Sequence, residues 1–217
     1  SDASLIDGGD GYDILRIETS AGWAVAGGGA TWAAASNFEE LAIVGSGLGG
    51  PLVLGDGFVS AGVTLVVSTT HGVVIDGSAE TDGAFDFHGG GLGVDTFSGG
   101  ALADQIDGGG GDDVLRGNGG DDTLIGGDGF DIAIFSGNFA DYTITEGAGL
   151  ITVAGPDGSD TLYGVNRLQF DDQSIDPSLP GVTLSGTEAF ESLTGSEGND
   201  TISGLDGGDT ITGLLGD

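Results

Sequence analysis

The chain has 217 residues, with three Arg, no Lys and 35 acidic residues, for a formal charge of −32. Such a surface repels phosphate, so it excludes nucleic acid and anionic membranes as partners and calls for cations instead. Cysteine and methionine are both absent, which removes disulfides and thiolate zinc sites and predicts a piece processed or excised from a longer protein.

The composition also argues against disorder, because 38% of residues are hydrophobic and they recur in short blocks. The 48 glycines follow no period of three, so they point to repeated tight turns rather than to collagen. Residues 57–75 carry no Asp, Glu, Lys or Arg. Ser60, Thr64, Ser68, Thr69, Thr70, His71 and two internal glycines nevertheless make this stretch too polar for a membrane span. The N-terminus has neither the basic region nor the apolar core of a signal peptide, and no membrane insertion is expected.

In chain order, residues 1–16 read as the end of a repeat array, with Leu5-Ile6 closing one unit and GGDGYDILR forming a full one around Asp13. Residues 17–37, rich in Ala and Gly and holding Trp23 and Trp32, predict a loop or irregular cap, with room for a short helix at Trp32 to Ser36. Residues 38–80 carry short apolar blocks near Leu41, Leu52, Thr64 and Val73. Their spacing suits the strands of a solenoid, so residues 17–80 form a β-rich, solenoid-like segment. One continuous stack is expected from about Leu41 to Ile134.

Residues 81–134 divide into six nonapeptides of one phase: TDGAFDFHG, GGLGVDTFS, GGALADQID, GGGGDDVLR, GNGGDDTLI and GGDGFDIAI. The sixth place is always Asp, at Asp86, Asp95, Asp104, Asp113, Asp122 and Asp131. The eighth place is apolar at Phe97, Ile106, Leu115, Leu124 and Ala133, with His88 the exception. Residues 135–180 change to longer alternating strands, with turn signals at Gly137-Asn138, Gly147 to Gly149 and Pro156-Asp157-Gly158. They predict a small antiparallel β cap and a linker, with Phe135, Phe139, Tyr142, Tyr163 and Phe170 making the cap the most aromatic part. Residues 181–217 begin a second array, with Glu191, Asp200 and Asp209 at its sixth places, and stop within a repeat.

The nonapeptide spacing suits calcium, which takes six to eight hard oxygen ligands, more than one turn supplies. Places one to six make a turn, whose glycines allow positive φ and close approach of carbonyls. Places seven to nine make a short strand with its eighth residue inward. If two nonapeptides form a coil, turns two repeats apart stack at strand spacing, and an ion between them meets two carboxylates and several carbonyls.

The pattern G-G-x-G-x-D-x-U-x resembles the calcium-binding repeat of the RTX family. The Arg167-Leu168-Gln169-Phe170 segment is similar to the stretch that succeeds the repeat array in many RTX proteins. The resemblance implies an all-β, right-handed parallel β-roll or β-solenoid with Ca2+ bound between stacked turns. It implies that each ion takes place-six Asp from both turns, with carbonyls of places one and three from one turn and two and four from the other. Carried over, the pairs are Asp95 with Asp113, Asp104 with Asp122, and Asp113 with Asp131. The turn ligands fall on Gly90, Gly91 and Gly93; on Gly108, Gly109, Gly110 and Gly111; on Gly117, Asn118, Gly119 and Gly120; and on Gly127 and Gly129. Leu102 stands where place four should be Gly, which weakens the Asp104 with Asp122 site, and Thr81, Asp82 and Ala84 depart further, which weakens an Asp86 with Asp104 pair. Glu191 pairs with Asp209, while Asp200 and Asp13 have no partner visible in the sequence.

Other motifs carry less. Residues 45–50 spell G-x-G-x-x-G, but Pro51 and a strand come next where a dinucleotide site needs a helix. His71 and His88 are too few for a metal site of their own. Asp121-Asp122 and Glu39-Glu40 are acidic pairs of the kind a glycosidase uses, but so acidic a chain makes them by chance. Asn199-Asp200-Thr201 matches a glycosylation sequon, but Asp200 already has its repeat role.

The expected function is therefore a non-catalytic, calcium-dependent folding module of a larger secreted bacterial protein. The resemblance implies export through a type I secretion channel and folding on calcium outside the cell. Its partners are calcium ions and neighbouring repeats of the parent chain, with contact to a cell surface or extracellular polysaccharide as a further option. The alternatives are a spacer in a cell-surface adhesin or S-layer-like protein, and the β-solenoid of a secreted polysaccharide-modifying enzyme.

Overall fold

The computed structural model describes residues 6–7, 13–19, 30–31, 35–36, 38–45, 50–147, 150–177, 183–185, 192–194, 201–203 and 210–212. These residues form short strands joined by turns, with one 3-10 turn at Phe139–Asp141. Among them, no helix is long and apolar enough to cross a membrane.

From Glu40 to Ile134 the chain alternates between a nine-stranded and an eight-stranded sheet, laying each strand parallel to one already in place. The fold is a parallel β-solenoid of the β-roll type. From Thr96–Ser98 onward the strands of the array are three residues long, and only the middle residue points inward, as period-two alternation requires. The inward residues stack in two rows. Leu41, Val67, Phe87, Ile106, Leu124 and Leu162 line one sheet, and Leu52, Ile75, Phe97, Leu115, Ala133 and Leu168 line the other. All are buried and belong to one core cluster. Phe87 stacks on Phe97 at 4.4 Å, and Phe85 meets Phe97 edge-on at 5.6 Å.

The coil shortens along the stack. Leu41 lies beside Val67, Val67 beside Phe87, Phe87 beside Ile106 and Ile106 beside Leu124, which are coils of 26, 20, 19 and then 18 residues. Eighteen is two nonapeptides, the shortest coil seen in the roll. The long early coils lack the compact Gly-Asp turns, and the array has them.

The register brings one change to the array. Ile106 pairs with Phe87, not His88, so Phe87 takes the eighth place and Phe85 the sixth. Asp86 lies opposite Gln105 at place seven. Seven residues, 89–95, join strands Ala84–His88 and Thr96–Ser98, whereas six join Gln105–Asp107 to Val114–Arg116. The extra residue shifts everything before it by one, and the apolar row is restored without exception.

The predicted cap is partly antiparallel. Strands Thr143–Gly147, Leu150–Gly155 and Gly158–Tyr163 pair antiparallel in sequence, as do Arg167–Gln169 and Ser174–Ile175. Yet Gly158–Tyr163 also lies parallel to Thr123–Ile125, and Arg167–Gln169 lies parallel to Ile132–Ile134. The stretch therefore adds one more coil to the roll, with a hairpin inserted before it. Between Gly158–Tyr163 and Arg167–Gln169 the strand is broken at Gly164, whose φ of +60° turns the chain to the other sheet. Phe135, Phe139, Tyr142 and Phe170 pack together over the end of the core, with ring centroids 5.0–5.6 Å apart.

Elsewhere, Ala30–Thr31 and Ala35–Ser36 are strands within the predicted loop, so the short helix is not formed at Ala35. Trp23 and Trp32 lie outside the described residues. In the second array Leu184 pairs with Ile202 and Leu193 with Ile211, again 18 residues apart.

Candidate metal centre

The turns of the array place its aspartates in two rows, one along each edge of the roll. Asp95, Asp113 and Asp131 form one row, and Asp104 and Asp122 form the other. All five are buried, at 0–3% exposure. Each side chain is held by a bond that a place-six Asp makes to the coil before it. Asp95 Oδ1 accepts the Val73 N–H at 2.7 Å, Asp113 Oδ1 that of Asp95 at 2.7 Å, and Asp131 Oδ1 that of Asp113 at 2.9 Å. On the second edge, Asp104 Oδ1 accepts from Phe85 and Asp122 Oδ1 from Asp104, both at 2.7 Å.

These bonds use one oxygen of each carboxylate. The other, Oδ2 of Asp95, Asp113, Asp122 and Asp131, is buried with no hydrogen-bond partner. A buried acceptor left in that state is costly. Place-one glycines leave the space into which it points. A Cβ on Gly108 would meet Asp113 Oδ2 and the Gly126 carbonyl, and one on Gly126 would meet Asp131 Oδ2 and the Gly164 carbonyl. A carboxylate oxygen and a carbonyl of the next coil thus converge where any larger residue would intrude.

Burial raises the carboxyls of all five, against the opposing pull of their backbone bonds, and neighbouring carboxylates add to the rise. Asp95 is pushed up to about 7, Asp104 to about 6 and Asp122 to about 8. Asp113 and Asp131 move in the same direction. Arg167 is engaged by Asp176 at 2.9 Å and Arg116 reaches Ser136, so neither offsets the rows. His88 sits beside Asp86 at 3.1 Å and His71 beside Thr70, both away from the rows. The donors are carboxylate and carbonyl oxygens only, which suits a hard divalent cation of the calcium type. The residues present therefore fit that ion.

The fit differs from turn to turn. Asp104 Oδ2 accepts the Gly100 N–H at 2.7 Å, so the turn containing Leu102 offers its second oxygen less freely. In the slipped turn before Asp95, the glycine facing Asp95 Oδ2 and the Gly108 carbonyl is Gly89, whereas Gly90 lies against Thr69. Gly93 lies against Gly72, and Gly110 bridges Asp128 in the next coil. Positive φ falls at place two in Gly91, Gly109, Asn118 and Gly127, and at place four in Gly111, Gly120 and Gly129. A Cβ on Gly117 would strike Asp122 Oδ2, while Gly119 sits over Ala101. The Asp86 with Asp104 pair, already weakened by the departures at Thr81, Asp82 and Ala84, is not formed, since the residue one coil before Asp104 is Phe85.

Asp13 does have a neighbour in the stack. Its N–H donates to Glu39 Oε2 at 2.8 Å, and strand Ile14–Thr19 pairs with Glu40–Gly45 across a 26-residue coil. Glu191, Asp200 and Asp209 lie outside the described residues. Glu80 is a useful contrast. It is fully buried and close to Asp56 and Asp82, but its oxygens accept the N–H groups of Thr81, Asp82, Gly83 and Val59. Backbone donors satisfy that carboxylate, and none satisfies the Oδ2 atoms of Asp95, Asp113, Asp122 and Asp131.

Two side chains beyond the nonapeptides continue the rows. Asp160 Oδ1 accepts the Asp122 N–H at 2.9 Å, and Asn166 Oδ1 accepts that of Asp131 at 2.8 Å. A signal for Asp160 was present, because residues 155–163 read GPDGSDTLY, a repeat with Gly at places one and four, Asp at six and Leu at eight. It was obscured by Pro156-Asp157-Gly158, which also reads as a hairpin turn.

Comparison with protein families matches the RTX calcium-binding nonapeptide repeat, in four copies, over residues 98–133 and 185–217. No curated protein matches the chain.

Proposed function

Because the chain carries RTX calcium-binding nonapeptide repeats, a family that binds Ca2+, we propose that it is a non-catalytic module whose folding is driven by calcium, within a larger secreted protein. The observation that supports this reading is the pair of carboxylate rows, each residue with one oxygen tied to the coil before it, the other being buried without a donor at Asp95, Asp113, Asp122 and Asp131. Asp95, Asp113 and Asp131 on one edge, and Asp104 and Asp122 on the other, would hold the ions. Bound calcium supplies the positive charge that the chain lacks.

The chain's own residues set the linkage. With all carboxyls ionised, the rows repel across stacked turns, and one inward side chain per three-residue strand makes a thin core. Such a core does not offset the entropy of ordering the turns. Folding and binding then become one equilibrium, governed by the free calcium concentration. A chain synthesised where calcium is scarce stays open for export through a type I channel, and folds where calcium is abundant. A spacer role at a cell surface is the second reading, favoured by the second array, whose strands repeat the 18-residue register. Surface or polysaccharide contact would then belong to the exposed faces.

The test is calcium titration of the metal-free chain near neutral pH, monitored by far-ultraviolet circular dichroism and calorimetry. The expected result is a calcium-dependent gain of β-sheet signal with several ions bound, reversed by chelator. A spectrum indifferent to chelator, with no heat of calcium binding, would overturn the proposal.

A further inference from the structure

We propose that Asp160, in a turn outside the nonapeptide array, closes one more calcium site with Asp122, and that this site anchors the inserted hairpin, residues 143–155, to the roll. The proposal rests on the calcium reading above and extends it to a residue 38 positions further along the chain.

The turn at 155–160 repeats three of the bonds by which an array turn sits on the coil before it, while its first glycine, Gly155, faces the Tyr142 ring. In the array, Gly111 N–H donates to Asp128 O, Phe130 N–H to Asp112 Oδ1, and Asp113 N–H to Asp131 Oδ1. Here Gly120 N–H donates to Asp157 O, Ser159 N–H to Asp121 Oδ1, and Asp122 N–H to Asp160 Oδ1. The backbone matches as well. Gly158 has φ +137°, beside +133° at Gly129, and a Cβ on either would strike the place-four carbonyl one coil earlier, Gly120 O or Gly111 O. Asp160 is 2% exposed, and Asp122 Oδ2 is buried beside it with no donor. A turn that shares these bonds, with a buried Asp160 beside a donor-less Asp122 oxygen, takes an ion of the same kind.

The other row ends differently. Asn166 gives its Oδ1 to the Asp131 N–H, so an amide nitrogen, a donor, takes the place of the second carboxylate oxygen. That amide ends the row without a further ion. The hairpin is coupled to the Asp160 turn through Tyr142, whose ring covers Gly155 and whose hydroxyl donates to Asp157 Oδ2 at 2.8 Å.

The experiment uses the full chain with calcium alone as the probe. Asp160→Asn keeps the acceptor for the Asp122 N–H and removes one charged ligand. The expected result is one calcium ion fewer by calorimetry, or that ion bound about tenfold or more weakly. At the same calcium concentration, hydrogen exchange should quicken at 143–163 and stay unchanged at Thr96–Ser98 and Val114–Arg116. Asn166→Asp should add a binding event on the other row. Normal calcium uptake by the wild-type chain, with an Asp160→Asn variant unchanged in stoichiometry, affinity and hairpin protection, would overturn this proposal alone. A wild-type chain that takes up no calcium would overturn the reading beneath it as well.

Discussion

Removing calcium and lowering the pH should have opposite effects on this fold, and the structure gives the size of the second. In the metal-free chain the groups in question are Asp95, Asp104, Asp122 and Asp160, raised from 3.8 to about 7, 6, 8 and 6, in each case chiefly by burial. Because the folded values exceed the unfolded ones, the folded state holds protons that the unfolded state has released at the same pH. Stability is then fully present below the unfolded value and is lost as pH rises through the folded ones. Between about pH 8 and about pH 5 the four groups together regain about seven tenfold steps in proton affinity. At about 1.4 kcal/mol per step, halved for solvent screening, this is roughly 5 kcal/mol. That is comparable to the whole stability of many domains. The metal-free chain should therefore gain β-sheet circular dichroism as the pH is lowered from about 8 to about 5, with no calcium present. The calcium-loaded chain should move the other way, because protons compete for the same oxygens. A metal-free chain whose β signal is flat, or falls, across that interval would refute the argument that ionised rows hold the fold open.

Packing and backbone conformation give two further outcomes. Phe97 is fully buried between Phe87 and Phe85, so Phe97→Ala should cost about 3–5 kcal/mol in urea unfolding at saturating calcium. Gly127 has φ +100°, and a Cβ there would strike the Gly109 carbonyl, so Gly127→Ala should cost about 2 kcal/mol or more and weaken calcium uptake. Gly57→Ala is the control: φ is +81° but the space is open, so a loss of about 1 kcal/mol with calcium uptake intact is expected.

Much of the candidate site was legible because its coil is short. Where two nonapeptides make one turn of the roll, sequence phase and spatial register coincide, and the place-six aspartates from Asp95 to Asp131 stack in the pairs that the resemblance to the RTX repeat implied. The apolar eighth places likewise gave the inward rows at Phe97, Ile106, Leu115, Leu124 and Ala133. In the first nonapeptide of the array that coincidence ends. His88 in an apolar place was the visible sign of a one-residue slip, and the slip moved Asp86 out of the row and exchanged Gly89 for Gly90.

Spacing therefore determined the alternation of turn and strand, because each nonapeptide carries its own turn glycines, carboxylate and core residue, and the resemblance to the RTX repeat implied the parallel roll. Only the tertiary structure decided which carboxylate meets which where the coil length changes. Glu39 reaches Asp13 across 26 residues, and Asp160 reaches Asp122 across an inserted hairpin. Those contacts are set by hydrogen bonds between stacked coils, which hold the same geometry whether the chain between them is 18 residues or 38.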